Sequence, residues 1–473
     1  MDNLLQKAYD PDQFRKEGHA LVEQLAAYLE NGISGTTEKV IKWQQPDELY
    51  EKWKEYIDKG VSSQQFFNDL IDQSIQLHNP RYMGHQVAVP LPVTALAGMV
   101  GALLNNGMAI YEMGPVASVL EKWIVTHFAE LIGNHHADGF LTSGGTLATL
   151  TALLSARQAV LNNDIWEKGQ EDKLAVMVSD QAHYSVDKAA RIMGLGSKGV
   201  IKVPVDKDFK MQTDQLEPLF EKAEKDGLKV IAVVANGCST STGTYDDLRT
   251  ISAFCNSKNI WFHLDAAHGG GVVYSPKYKS LLNGIEQADS VIIDLHKMLM
   301  GPALSTLVLF KDSDDSYKTF SQKARYLWEN EQDKEWYNYA KRTLECTKLM
   351  MSVRFYAIIQ AYGTGIFDEY VSRQYDLSRE FSEMILKDSN FELATEPMSN
   401  IVCFRYAPQN VTDLDKLNGQ IRKKSLENGD YYIVQTELNG NTYLRVTLMN
   451  PFTEKAHLKA LLNEIKKIAA TLS

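Results

Sequence analysis

The chain predicts an α/β protein: a large, mostly parallel sheet domain, a helical segment before it and a smaller α+β domain after it. Three features carry that expectation. Between residues 174 and 293, five short apolar runs alternate with helical stretches. Strands that read as unbroken apolar runs between helices belong to a largely parallel sheet covered on both faces. Ahead of them, the first 76 residues show only helical periodicity, and beyond residue 346 a second, smaller alternating unit follows. At 473 residues the chain is too long for one simple core, so the division expected is 1–76, 77–345 and 346–473.

Taken in order, Phe14 to Leu29 places Leu21, Leu25 and Tyr28 at helical spacing under a charged face, which predicts a peripheral helix. Pro46 to Lys59 predicts a second. The strands expected are Leu174–Val178, Gly199–Val203, Val230–Val234, Ile260–Leu264 and Ser290–Ile293. Helices Thr146–Leu161, Val186–Met193 and Asp247–Asn256 lie among them. A charged, Tyr-rich stretch from 312 to 340 precedes a long helix, about Arg342 to Gly363. Ile401–Arg405, Tyr431–Val434 and Tyr443–Leu448 are the strands of the final domain.

Composition narrows the function. A formal net charge of −11 disfavours nucleic acid and anionic membranes as partners, since both call for a basic patch. Four dispersed cysteines with no C-x-x-C spacing give neither a zinc site nor a disulfide framework, and no metal is expected. Met1 to Lys7 lacks the regions of a secretion signal. The apolar window around Leu91 to Leu104 is broken by prolines, Thr94 and glycines, short of a membrane span. The expectation is a soluble cytoplasmic protein.

The chemistry sits at strand ends, where open α/β sheets bind ligands. Lys297 closes the run Ile292-Ile293-Asp294-Leu295-His296-Lys297, and Asp265 closes Trp261-Phe262-His263-Leu264-Asp265. A lysine ending a buried strand must take its ammonium out of water. It makes sense as a neutral amine, or bound as an imine to a carbonyl cofactor. An aspartate ending a neighbouring strand suits a carboxylate beside a pyridine nitrogen, and the pair points to pyridoxal 5′-phosphate, PLP. Leu141-Thr142-Ser143-Gly144-Gly145-Thr146 leads straight into a helix, leaving backbone N–H groups for a phosphate. An ordinary turn capped by Thr146 is the alternative for that motif alone. His183, in Ala182-His183-Tyr184-Ser185, could stack on a flat cofactor or be a satisfied loop histidine. The joint order of turn, histidine, aspartate and lysine, the last two 32 positions apart, favours the cofactor.

Those motifs, with His78-Asn79-Pro80-Arg81-Tyr82, Asp265-Ala266-Ala267, His296-Lys297-Met298 and Leu444-Arg445-Val446-Thr447-Leu448-Met449-Asn450-Pro451, resemble the group II PLP-dependent amino-acid decarboxylases over nearly the whole chain. The resemblance implies PLP fold type I, with a seven-stranded large sheet, and a homodimer with its active site at the interface. It implies that Lys297 carries the cofactor, Asp265 binds the pyridine nitrogen, and His183 and Ala267 flank the ring. Ser143, Gly144, Gly145 and Thr146 would hold the phosphate, with His296 or Asp294 near it. Tyr111-Glu112-Met113-Gly114-Pro115-Val116 and Arg445 lean toward an acidic substrate, Arg445 binding its carboxylate. Two features pull away from it. Gly84-His85-Gln86-Val87-Ala88-Val89-Pro90 resembles the diaminobutyrate and lysine branch about as well as any other, and His268 stands where that family usually carries a large aromatic residue, with His85 and His268 near the substrate side chain. Aromatic substrates, transamination and aldehyde synthesis on the same fold are further alternatives, as is a dimeric scaffold without activity. The proton donor to Cα, a loop tyrosine in that family, is expected at Tyr337 or Tyr339 in a lid from Glu329 to Ala340.

Overall fold

In the computed structural model, residues 3–161, 165–320 and 334–472 are described, the side chains of 166 and 167 apart. The large sheet contains β1 (Asp138–Thr142), β2 (Leu174–Ser179), β3 (Val200–Val203), β4 (Lys229–Asn236), β5 (Trp261–Asp265), β6 (Ser290–Asp294) and β7 (Thr306–Phe310). Their order across the sheet is β1-β7-β6-β5-β4-β2-β3. The pairs from β3 to β6 are parallel, and β7 runs antiparallel to both of its neighbours. Every residue of β2, β5, β6 and β7 is buried, which requires cover on both faces and accounts for their unbroken apolar runs.

β1 and β7 were not among the strands expected. Gly139 explains part of this. A Cβ there would meet the Val308 carbonyl oxygen of β7 at 1.8 Å, so the close pairing demands a residue that weakens the strand signal. The long helix expected from Arg342 begins instead at Met351 and ends at Tyr362. The residues ahead of it hold β1. Arg342 Nη1 lies 2.7 Å from Asp138 at the strand's start. Lys348 Nζ donates to the Leu141 carbonyl at 2.5 Å and is ion-paired with Glu121. The same Glu121 carboxylate accepts from the Leu141 amide at 2.8 Å. One strand residue is thus clasped on both its backbone groups by a fully buried pair.

Two compact units contain these elements: residues 86–379 with 395–402, and residues 1–85 with 380–394 and 403–473. The helical segment and the C-terminal domain, expected apart, share the second of these. Backbone bonds join them there: Met83 N donates to Tyr432 O at 3.0 Å, and Thr447 N to Met83 O at 2.9 Å. The small sheet contains β8 (Phe391–Leu393), β9 (Ile401–Tyr406), β10 (Val434–Leu438) and β11 (Asn441–Thr447), in the order β10-β11-β9-β8. The run at Tyr431 lies before β10 rather than in it, because Tyr432 bridges Tyr82. No helix among the described residues is long and apolar enough to cross a membrane.

Candidate active site

A cavity of about 150 Å³ opens at the carboxyl ends of the central strands. Gly145, Thr146, His183, Asp265, Ala267, His268, His296 and Lys297 all line it. Each is delivered by a strand end. β5 ends on Asp265, whose Oδ1 accepts from the Ala267 amide at 3.1 Å. That bond fixes the carboxylate and presents Ala267 beside it. β6 ends on Asp294. The chain then turns through His296 and Lys297 before returning as β7, and Leu295 N donates to Ser305 O at 3.0 Å across the loop. The Nδ1 edge of His296 rests on the Ser305 backbone, 2.8 Å from its carbonyl oxygen and 3.1 Å from its amide.

Electrostatics separates the two buried carboxylates. Burial pushes Asp265 up, opposed by the charges of Lys297 and His183. Burial also pushes Asp294 up, but Lys297, His296 and the Thr306 hydroxyl outweigh it and hold Asp294 below the usual carboxylate range. Its Oδ2 lies 2.8 Å from Lys297 Nζ. Burial pulls the lysine ammonium down, yet Asp294 and Asp265 raise it above its ordinary value. His183 is pushed down by burial despite Asp265. It caps the helix Tyr184–Ile192, with Nδ1 accepting from Ser185 N at 3.3 Å, and its ring, whose centre lies 4.2 Å from that of Tyr184, lines the cavity.

The residues fit PLP. An amine and a carboxylate face one space, His183 and Ala267 can flank a flat ring, and hydroxyls gather at the start of helix Gly145–Leu161. An unpaired helix start with nearby hydroxyls is the chemistry a phosphate needs. Ser143 and Gly144 are not among the lining residues. The Ser143 hydroxyl donates instead to Glu345, and Gly144, at φ 117°, shapes the turn. Thr149, Ser185, Cys238 and Thr240 line the cavity and were not singled out from sequence. Signals for them existed. Thr149 repeats Gly145 one helical turn on, and Cys238 and Thr240 follow β4, a strand end like the others. Burial pushes the Cys238 thiol up to about 12, so it is a neutral wall of the cavity.

Of the other expected site residues, His268 lines the cavity, and Arg445, His85, Tyr337 and Tyr339 do not. His268 Nε2 is 2.8 Å from Asn400 Oδ1. Arg445, on β11, and His85 belong to the unit that contains the small sheet. The His85 ring is pushed down by burial and by the charges of Arg445 and Arg422. Tyr339 is a core residue, 2% exposed, its hydroxyl donating to Ser118 O at 3.2 Å, which does not suit an exposed lid. Tyr337 is half-buried, edge-on to Tyr111, its hydroxyl 3.4 Å from Glu335. Residues 329–333 of the expected lid lie outside the described residues.

The model of the pyridoxal-dependent decarboxylase conserved domain matches residues 63–407. An acidic amino acid decarboxylase of Mus musculus is 29% identical, over 96% of this chain and 86% of its own length. An aspartate 1-decarboxylase of Aliivibrio fischeri is 30% identical, over 86% of this chain and 83% of its own. Among solved structures, mouse CSAD is 25% identical with a TM-score of 0.89, covering 97% of this chain and 99% of that one.

Proposed function

The chain belongs to the pyridoxal-dependent decarboxylase family, and from that premise we propose that its substrate is an acidic L-amino acid, which it converts to the amine and CO2. PLP-dependent decarboxylation is the family's reaction. The observation that carries the acidic substrate is similarity over most of the chain to an acidic amino acid decarboxylase and an aspartate 1-decarboxylase. Arg445, buried on β11, supports it as the partner of a substrate carboxylate, a role suited to the planar guanidinium fork.

PLP, when bound, supplies the sink for the electron pair that CO2 leaves behind. Lys297 would hold it through its amine, and Asp265 would keep a proton on the pyridine nitrogen. His183 and Ala267 would confine the ring, and Gly145 and Thr146, with Thr149 and Ser185 beside them, would hold the phosphate. The walls of the cavity would orient the reacting bond. Tyr337 is the proposed proton donor to Cα, its neighbours Glu335 and Tyr111 positioning it.

A homodimer is part of the same reading. The helix Pro92–Leu104 leaves Leu96, Met99, Val100 and Leu103 exposed, an apolar face suited to a second copy. A cytoplasmic location is supported by free cysteines at 238, 255, 346 and 403. The test is to supply PLP and each of aspartate, glutamate, cysteine sulfinate, diaminobutyrate, lysine and tryptophan, and to identify the amines by mass spectrometry. Turnover confined to the basic or aromatic substrates would refute the acidic reading.

A further inference from the structure

Asp294 stands in two environments that oppose each other. One oxygen lies 2.8 Å from the Lys297 ammonium. The other accepts from the Thr306 hydroxyl of β7, and both oxygens face the first residue of the helix Gly145–Leu161, where a Cβ on Gly145 would come within 3.4 Å of one and 3.5 Å of the other. The carboxylate, 2% exposed on its side chain, therefore serves as counterion to the lysine while lying against the helix start suited to an anion. His296 Nε2 is 3.6 Å from its Oδ2. The remaining titratable groups facing the pair are Asp265 at the end of β5, His183 at its helix start and Cys238 after β4.

This arrangement has a chemical consequence. An ammonium has no lone pair with which to attack a carbonyl, and a buried carboxylate at 2.8 Å favours the ammonium. A phosphate arriving at the helix start is a second negative charge beside that carboxylate, and like charges raise each other's affinity for a proton.

We propose that Asp294 is a positioning residue that ties the reactivity of Lys297 to occupation of the phosphate end of the cavity. Before loading, it stores the lysine as an ammonium. When phosphate occupies the Gly145 end, Asp294 takes a proton from Nζ and frees the amine. The amine lone pair then forms the carbon–nitrogen bond while the carbonyl π pair moves to oxygen. That oxygen leaves as water with two protons, one from the nitrogen and one returned by Asp294. The nitrogen keeps its third proton, so the step balances without any further reactant. A carbonyl compound lacking phosphate finds more of the lysine still protonated, which makes the phosphorylated cofactor the faster reactant.

The proposal rests on Lys297 as the cofactor lysine, and the experiment separates the two. Cofactor-free protein is mixed with pyridoxal, which lacks the phosphate, with and without inorganic phosphate. Adduct formation is followed by visible absorbance across a pH series, then trapped with borohydride and mapped by mass spectrometry. Moving the shared proton by one pKa unit changes the free-amine fraction about tenfold, so phosphate is expected to speed adduct formation at Lys297 about tenfold near pH 7. Asp294→Asn keeps the size and the Thr306 contact but removes the charge. It should react at lower pH than wild type and lose the response to phosphate. Absence of a Lys297 adduct with either pyridoxal or PLP would overturn the cofactor assignment itself. An adduct on Lys297 whose rate ignores phosphate in the wild type would overturn the role of Asp294 alone, a result that needs no variant.

Discussion

Replacing Lys348 with methionine should destabilise the large unit far more than loss of a surface lysine. Lys348 and Glu121 are 2% and 0% exposed, and together they hold both backbone groups of Leu141. Methionine fills much of the space but leaves the Glu121 carboxylate without its cation. Breaking one side of a buried ion pair costs about 3–5 kcal/mol, a large part of a typical stability of roughly 5–15 kcal/mol. With a denaturant slope near 3 kcal/mol per molar urea, the upper end for small proteins, the midpoint should fall by about 1 M or more. Glu121→Gln in the same background removes the stranded charge and keeps an oxygen for the Leu141 amide, so it should recover most of the loss. Urea titrations of cofactor-free protein, read by circular dichroism for wild type, single and double variants, give the three midpoints. A Lys348→Met midpoint equal to that of wild type, or one that Glu121→Gln lowers further, would refute the reasoning.

Asp265→Ala should leave the fold intact and nearly abolish amine formation, because the pyridine nitrogen loses the group that keeps its proton, while Asp265→Glu retains some turnover; an alanine variant within about tenfold of wild type, or roughly 1.4 kcal/mol in the barrier, contradicts this. His263 is fully buried with no partner on Nε2, and burial holds it down at about 4 against 6.5 unfolded. The unfolded chain binds the extra proton between those values, so stability is complete above pH 6.5 and lost as pH falls toward 4, by up to about 3 kcal/mol at 1.36 kcal/mol per unit. His263→Gln should flatten that part of the urea-midpoint profile, and an unchanged profile counts against it. Tyr337→Phe should bind PLP normally but slow amine release and raise oxygen-dependent aldehyde, as assayed by product analysis; an unchanged rate and product ratio would remove Tyr337 as donor.

What could be read from sequence follows from how each residue type signals its place. β2, β4, β5 and β6 were legible because burial on both faces leaves an unbroken apolar run, as in Val230–Val234. β1 was hidden by Gly139, needed for close approach to β7, and the start of helix Met351–Tyr362 was displaced because Arg342 and Lys348 are committed to β1. Neither cause is local, so neither leaves a periodic mark. In the site, Lys297 and Asp265 stood out because ionisable groups at the ends of buried strands are costly unless used. Thr149, Ser185 and Thr240 are small polar residues of kinds found in any loop or helix start, and only the folded chain brings them to one cavity. Tyr339 shows the converse error: a polar, charged neighbourhood suggested exposure, while its own ring packs into the core with Lys348 Nζ 4.3 Å from the ring centre.

The loop that carries Lys297 is strapped at both ends, by Leu295 to Ser305 and Gly301 to Leu295, with His296 seated on the same Ser305. These bonds restrain the backbone beneath the lysine, leaving side-chain rotations as the amine's main freedom. On the role proposed for Lys297, every turnover would part the lysine from the cofactor and bring it back. A tethered amine on a restrained base stays within a few ångströms throughout, which gives it a high effective concentration for the return step. The entropic cost of recapture is then limited to the rotamers of one side chain, about 2 kcal/mol at most. Loosening the strap, rather than touching any reacting group, would let product linger on the cofactor and shift the slow step of the cycle from bond breaking to release.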